Sequence, residues 1–313
     1  MLLTDTSLSI IIVNWNTCAL LTDCLNAIGA HPPSAPVEVW VVDNASADGS
    51  ADRVRAQFPE IKLIENRENR GFARANNQAV VQCSGDYILF LNSDAFVQAD
   101  TLNAMLALME AQPRIGALGP RLLNPDGSFQ ASYAKFPTLW SEWALLTGLA
   151  RWTVGSYAPS PRPTPGERAH AVDWVPGAAL MVRRATLAQV GNLDEAYFMY
   201  SEETDLCWRM RQAGWEVWYL PEAVVTHIGG ASSRQRSTES YIQLYRSKLR
   251  FLRRAYGGSY AALAQVVLFV TVALRYGLWV CLSLFPTQRG RWAARRRQVD
   301  GRLLWALTSQ LPE

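Results

Sequence analysis

The chain has 313 residues, 49% hydrophobic and 18% charged, which is enough apolar content for a sizeable core and excludes a disordered protein. Its net charge of +3 conceals an asymmetry: residues 231–313 carry 14 Lys and Arg against 3 acidic residues, and residues 1–230 carry 16 basic and 24 acidic ones. A basic tail on an acidic body suits an anionic surface. Because its arginines interleave with a long apolar run, that surface is a membrane and not nucleic acid. Five cysteines without Cys-x-x-Cys or zinc spacing read as reduced thiols of a cytosolic chain.

The first apolar run, Leu8 to Val13, is too short for the core of a signal peptide and reads as a buried strand ending at Asn14-Trp15-Asn16-Thr17. Thr17 is placed to cap a helix through Leu20, Leu21, Cys24, Leu25 and Ile28, which His31-Pro32-Pro33 ends. A second strand, Val37 to Val42, ends in Asp43-Asn44-Ala45-Ser46, and a third covers Ile61–Ile64. This β-α-β alternation predicts a parallel sheet with right-handed crossovers. At the strand end, Asp43 either accepts hydrogen bonds from a base or ribose, or, with Ser46, organises the turn and caps the next helix.

The loop Asn66 to Phe72 leads into a helix over 73–81, where Gly71 would let an anion approach free N–H groups, with Arg70 or Arg74 adding charge. Tyr87 to Leu91 form a fourth strand, apolar enough to be buried on both faces, that stops at Asn92-Ser93-Asp94. Ligands of open α/β sheets bind beyond the carboxyl ends of strands, and a carboxylate there suits a hard cation holding a diphosphate. The bland alternative is a polar turn capping the helix over 100–111. A further strand is expected at Ile115–Leu118. No Gly-x-Gly-x-x-Gly follows the first strand and no Walker lysine is present, which weighs against dinucleotide oxidoreductases and P-loop NTPases.

Farther on, Pro159 to Gly166 holds four prolines and reads as a mobile or extended surface loop, a candidate lid. Trp174 either offers an open aromatic face or belongs to the core, and Leu180-Met181-Val182 form a strand beneath it. Ser201 is placed to cap a helix whose first turn holds Glu202, Glu203 and Asp205, more carboxylates than capping needs. His227 ends an apolar run after Pro221-Glu222-Ala223 and, alone at a strand end, reads as structural or exposed.

Four of these pieces, Ile11-Ile12-Val13-Asn14-Trp15-Asn16, Asp43-Asn44-Ala45-Ser46, Asn69-Arg70-Gly71-Phe72 and Leu91-Asn92-Ser93-Asp94, occur in this order and each at an expected strand end. Together they resemble the inverting glycosyltransferases of family 2, with the GT-A fold, and most of all the rhamnosyltransferase-like branch that builds bacterial surface polysaccharides. The resemblance covers residues 8–235. It implies an α/β domain with a Rossmann-like mixed sheet flanked by helices over 1–235, divided into a nucleotide-sugar half (1–100) and an acceptor half (101–235). It also implies transfer of a sugar from a nucleotide-diphosphate donor to a hydroxyl of a lipid-linked saccharide, with inversion and with Mg²⁺ or Mn²⁺. Asn14, Asp43, Asn69, Gly71, Asn92 and Asp94 would bind donor; Trp174, Gly177 and Glu202 would face acceptor; Asp94 and His227 would hold the metal. Glu203 stands where the family usually has an aspartate as general base, a departure that keeps Asp205 as rival. A nucleotidyltransferase or an inert sugar-nucleotide-binding scaffold are the alternatives.

Residues 236–313 lie outside that core. Tyr241, Leu244, Tyr245, Leu249, Leu252 and Tyr256 share a helical face, and 261–285 is apolar apart from Arg275 and Tyr276. Its length would span a bilayer, but a central Arg costs ~2.5–3.5 kcal/mol on insertion and arginines flank both ends. One or two amphipathic helices lying on the cytoplasmic leaflet are therefore expected, with a single span as the alternative.

Overall fold

A computed structural model of the chain describes residues 6–149, 160–164, 166–231 and 237–308. In chain order the elements begin with β1 (Leu8–Asn14), α1 (Cys18–Ala30), β2 (Val37–Asp43), α2 (Ser50–Gln57), β3 (Lys62–Glu65), α3 (Phe72–Val80) and β4 (Tyr87–Asn92). There follow β5 (Ala95–Val97), α4 (Thr101–Ala111), β6 (Ile115–Leu123), β7 (Phe129–Gln130), α5 (Leu139–Thr147), β8 (His170–Val172) and β9 (Ala179–Arg183). The chain then forms α6 (Arg184–Val190), α7 (Glu202–Gln212), β10 (Glu216–His227), α8 (Ser237–Tyr256), α9 (Gly258–Ser283) and α10 (Gln288–Thr308). Two compact units result: residues 1–136 with 159–235, and residues 137–158 with 236–313.

The first unit is built on a mixed sheet of order β3-β2-β1-β4-β9-β6-β10-β5, with β7 paired to β6 and β8 to β10. β1 pairs parallel to both β2 and β4, so the strand order reverses at β1/β4. That is where an open α/β sheet leaves a crevice at its carboxyl edge. β9 runs antiparallel beside β4, and β10 pairs parallel to β6. Alternation distributes the apolar run of each central strand between two cores. Ile10, Ile12, Leu89 and Leu91 pack with α1 and α4, whereas Ile11, Ile88 and Phe90 pack with α3 and α7. Each such fully buried side chain contributes roughly 1.5–3 kcal/mol.

The side-chain caps open to Thr17, to Asp43 or Ser46, and to Ser201 are absent, and the side chains of Thr17, Asp43 and Ser46 find partners elsewhere. Thr17 occupies the N-cap of α1 without capping it. Its hydroxyl donates to Asn14 Oδ1 at 2.6 Å and meets Ser93 Oγ at 2.8 Å, joining the ends of β1 and β4. The Cys18 N–H of α1 is instead received by Asp48 Oδ2, from the loop after β2. The helix after β2 starts at Gly49, not at Asp43 or Ser46, and Ser201 precedes α7 without a side-chain cap. Strands β5, β7, β8 and the first half of β10 were not anticipated: three are only two or three residues long, and Pro221 interrupts the register of β10 between Leu220 and Val224. Within the described part of the proline-rich stretch, Ser160 is buried and its Oγ accepts from Ser132 N–H at 2.8 Å, so this point is pinned and not a free lid.

In the second unit α5 opens with a reciprocal Thr138/Ser141 capping box, and Lys248 of α8 pairs with the buried Glu142 of α5. α9 and α10 run antiparallel. Arg275, whose insertion cost weighs against a span, forms a bidentate pair with Asp300 of α10 at 2.6 and 2.7 Å, and Trp279 donates to the same carboxylate. The tail comprises three helices where one or two were expected. Among the described residues α9 is the one helix long and apolar enough to cross a bilayer, and Leu263, Val266, Val270, Leu274 and Leu278 form an exposed stripe along it.

Thr17→Val keeps the volume but orphans Asn14 Oδ1 and Ser93 Oγ. It is expected to destabilise the chain by about 1–3 kcal/mol in urea unfolding, with an unchanged m-value.

Candidate active site

Polar residues at the ends of β1 and β2 lock together first. Asn14, with no exposed surface, donates to Asp43 Oδ1 at 2.9 Å and to Ser46 Oγ at 3.0 Å. Asp43 Oδ2 accepts the Ser46 N–H at 2.9 Å. Asn14 thus holds Asp43 instead of reaching a ligand itself, while Asp43, buried to 4% exposure, keeps unfilled acceptor positions on its oxygens. Asn44 is a residue whose role the sequence reading missed. Its amide donates to Asn69 Oδ1 and Gly71 O and accepts from Asn66 and the Arg70 N–H, so it clamps the whole 66–71 loop. Its signal was present, an Asn directly after a strand-end Asp, but its reach to residue 71 was not.

The expected anion pocket at Gly71 is corrected. Gly71 sits at φ +81°, and a Cβ there would fall on the backbone carbonyl of Phe198. That carbonyl accepts the Phe72 N–H at 2.7 Å, so the close approach and the helix N-terminus serve the 194–201 segment. Asn69 Oδ1 accepts the Gly71 N–H at 3.0 Å and shapes this turn. Arg74 pairs with Glu195, and Arg70 remains exposed.

The strand pairing His227↔Ala95 sets the end of β10 beside Asp94. His227 Nε2 lies 3.3 Å from Asp94 Oδ1 and 3.3 Å from Asn92 Nδ2, and Asp94 Oδ2 accepts the Ala231 N–H. Burial alone would push the Asp94 carboxyl up. When the His227 ring carries both protons, its hydrogen bond and charge, with the Ala231 N–H, outweigh it and hold Asp94 below the usual carboxylate range. A half-buried imidazole and an ionised carboxylate facing each other fit Mg²⁺ or Mn²⁺ in kind. No third acidic, His or Cys ligand joins them among the described residues. Two protein ligands are what a cation that also holds substrate phosphates requires.

On the other side, Tyr200 and Ser201 both have left-handed backbones, φ 71° and 66°, immediately before α7. Two consecutive non-glycine residues there are costly and aim the first turn of the helix. The turn presents Glu202 and Glu203, each with an Oε2 that is shielded from solvent and has no hydrogen-bond partner. Burial raises Glu203 from an ordinary value of 4.5 to about 7. Glu202 is raised as well, by burial and by the neighbouring charge of Glu203. Asp205 has a different setting: it is fully buried, its Oδ2 accepts from Arg209 Nε at 2.7 Å, and Arg209 also donates to the carbonyls of Val190, Gly191 and Asn192. Asp205 thus carries an ion pair with Arg209, a partner of a kind that no contact among the described residues shows for Glu203.

A Cβ on Gly177 would come 3.7 Å from Glu203 Cβ, and the next residue, Ala178, accepts the Asn92 N–H at 3.0 Å. Glu203, Gly177, Asn92, Asp94 and His227 are thus joined in sequence along one edge of the sheet. Trp174 donates its indole N–H to Lys135 O at 2.9 Å and packs partly against the core, which leaves only part of the ring open.

Residues 9–162 match the model of Glycosyl transferase family 2, and residues 87–308 that of Glycosyl transferase family group 2. Over 287 residues the chain is 30% identical to the N-acetylglucosaminyl-diphospho-decaprenol L-rhamnosyltransferase of Mycobacterium tuberculosis, covering 85% of this chain and 90% of that protein. It is 28% identical over 198 residues to Rhamnosyltransferase WbbL of Escherichia coli, covering 59% of this chain and 70% of that one. Among solved structures it resembles the mannosyltransferase PcManGT from Pyrobaculum calidifontis in complex with GDP-Man and Mn²⁺. The TM-score is 0.54 at 18% identity, over 96% of this chain and 85% of that one.

Because Glu203 keeps its proton in the folded state up to about pH 7 and loses it near 4.5 when unfolded, stability falls as pH rises through that window. Glu203→Gln removes this loss. At pH 8 calorimetry is expected to find it about 1–3 kcal/mol more stable than the wild type, with the difference vanishing below pH 4.

Proposed function

The chain belongs to glycosyl transferase family 2, and from that premise we propose that it transfers a rhamnose-like sugar from a nucleotide-diphosphate donor to a hydroxyl of a lipid-linked saccharide bearing GlcNAc-diphosphate. The observation that carries the reading is Glu203: a carboxylate near neutrality, with an unpartnered oxygen, in line with Asn92, Asp94 and His227 along the sheet edge. The names of the relatives support the sugar and the lipid-linked acceptor.

In this reading Asp43, held by Asn14 and Ser46, accepts hydrogen bonds from the base or ribose. Asp94 and His227 hold a divalent cation, which when bound neutralises charge on the departing diphosphate. Glu203 removes the proton from the acceptor hydroxyl. That oxygen bonds to the anomeric carbon on the face opposite the nucleotide diphosphate, whose bond to carbon breaks, so configuration inverts. Gly177 and Trp174 border the acceptor, and Glu202, kept protonated by burial and by Glu203, is a hydrogen-bond donor beside it.

Residues 1–136 and 159–235 act as the catalytic region, and 236–313, joined by α5, as a membrane-associating one at the cytoplasmic leaflet. The Arg275–Asp300 pair removes an isolated charge from α9, and the exposed apolar stripe of α9 lies in the same unit as the exposed Arg289, Arg291, Arg295, Arg296 and Arg302.

Glu203→Gln is expected to lower turnover by about 10²–10⁴ while donor binding persists, and Asp205→Asn to retain turnover per folded molecule. Turnover surviving in the first and lost in the second would reverse the assignment. In thermal shift with dTDP, UDP or GDP, one nucleotide should stabilise the chain only with Mn²⁺ or Mg²⁺, and Asp94→Ala should abolish that shift. No shift with any pair would favour an inert scaffold. Val266→Glu with Leu274→Glu should weaken binding to phosphatidylglycerol vesicles about tenfold or more, with transfer to a water-soluble acceptor unchanged.

A further inference from the structure

Gln130, at the end of the two-residue strand β7, takes no part in the reading above, and no motif drew attention to it. Its Oε1 lies 2.7 Å from His227 Nδ1. Its amide nitrogen lies 3.2 Å from the backbone carbonyl of His227 and 3.0 Å from Asn124 Oδ1. The orientation of this amide follows from groups that can only accept. A backbone carbonyl cannot donate, so the atom of Gln130 facing His227 O is its NH₂, and the atom facing Nδ1 is its oxygen. The Asn124 side chain is oriented in the same way: its NH₂ faces the Phe129 carbonyl at 3.5 Å and Ser128 Oγ at 2.9 Å, whose own proton goes to Asp126 Oδ1, leaving Asn124 Oδ1 for Gln130. The turn from Asn124 to Ser128 is itself closed by backbone bonds, Gly127 N–H to Asn124 O and Asn124 N–H to Ser128 O.

An amide oxygen against Nδ1 requires a proton on Nδ1. A neutral ring then carries none on Nε2, the nitrogen 3.3 Å from Asp94 Oδ1. We propose that Gln130 is a positioning residue that fixes the tautomer of His227, so that the neutral ring presents its Nε2 lone pair to the space shared with Asp94. Free imidazole has no such restriction, and with the opposite tautomer Nε2–H would donate to Asp94 and close that space to a cation. A second hydrogen bond that orients a ligating histidine is worth about 10–100-fold in metal affinity. The inference rests on the cation reading of Asp94 and His227 for its purpose, but not for its geometry.

The test reads the tautomer directly on the metal-free, full-length chain. It has three histidines, His31, His170 and His227, so side-chain ¹⁵N spectra resolve into three rings, and His227→Ala identifies the one of interest. On the alkaline side of its titration the His227 ring is expected to carry its proton on Nδ1 in the wild type and in Gln130→Glu, which keeps an acceptor there. Gln130→Leu should move the proton to Nε2 in part or whole. Titrated with Mn²⁺ alone and followed by loss of the free-ion EPR signal, Gln130→Leu should bind about 10–100-fold more weakly than the wild type, and Gln130→Glu should not. An Nε2–H ring in the wild type, or an Nδ1–H ring that persists in a folded Gln130→Leu, overturns the proposal. A wild-type Nδ1–H ring lost in Gln130→Leu, without Mn²⁺ binding by any form, supports the tautomer assignment and overturns the cation reading instead.

Discussion

A buried amide cannot be left unpaired, and Asn14 is one with no exposed surface at all. It meets the requirement by joining three loops: Asp43 and Ser46 after β2, Thr17 at the start of α1, and through Thr17 the Ser93 that follows β4. The sheet brings the ends of β1, β2 and β4 to one edge, but it does not say which way their side chains turn. The amide does, because only one arrangement satisfies every buried donor and acceptor around it. Asp43 is therefore oriented before any ligand arrives, and Asp94 follows two residues after Asn92 on a strand whose end is tied to the same network. Preorganisation of this kind is what charge stabilisation at a developing leaving group demands.

The first turn of α7 makes a second point about environment. Glu203 and Asp205 are carboxylates two residues apart on one helix, and helical geometry sends them to different surroundings. Asp205 turns toward Arg209 and pairs with it beside the carbonyls that Arg209 gathers. Glu203 turns toward Gly177, where burial without a compensating cation pushes it up to about 7. The same chemical group is thus ion-paired in one place and pushed up towards neutrality in the other. The left-handed Tyr200 and Ser201 are the local cost of holding the turn in that attitude.

Much of this was legible in the residues. Continuous apolar runs such as Ile10–Val13 and Tyr87–Leu91 can only be central strands, and a carboxylate at the end of such a strand lies at the sheet edge whatever the rest of the chain does. Hidden features were those where a side chain chooses between a local and a distant partner. Thr17 and Ser201 look like helix caps because capping is the local option; Thr17 joins β1 to β4 because Ser93 lies within reach only after folding. Arg275 looked like an isolated charge because Asp300 is 25 residues away and on another helix. Gln130 gave no signal, since its role depends on a strand of two residues and on a histidine 97 positions later. Gly71 was noticed for its conformational freedom, but its neighbour Phe198 lies far along the chain and gave no local signal.

That neighbour has a consequence for how the sequence can drift. A side chain at position 71 would meet the main-chain oxygen of Phe198 first and its ring Cδ2 next, at 2.8 Å, and only the second of these can be exchanged away. Every amino acid carries that oxygen, so no exchange at 198 creates room at 71. Residue 198 is half exposed and contributes its backbone whatever its side chain. Its identity is replaceable in a way that the glycine's is not. Two positions in direct contact are therefore under unequal constraint, and a compensating change for the loss of Gly71 must be sought in the path of the 194–201 backbone and not in the residue that touches it.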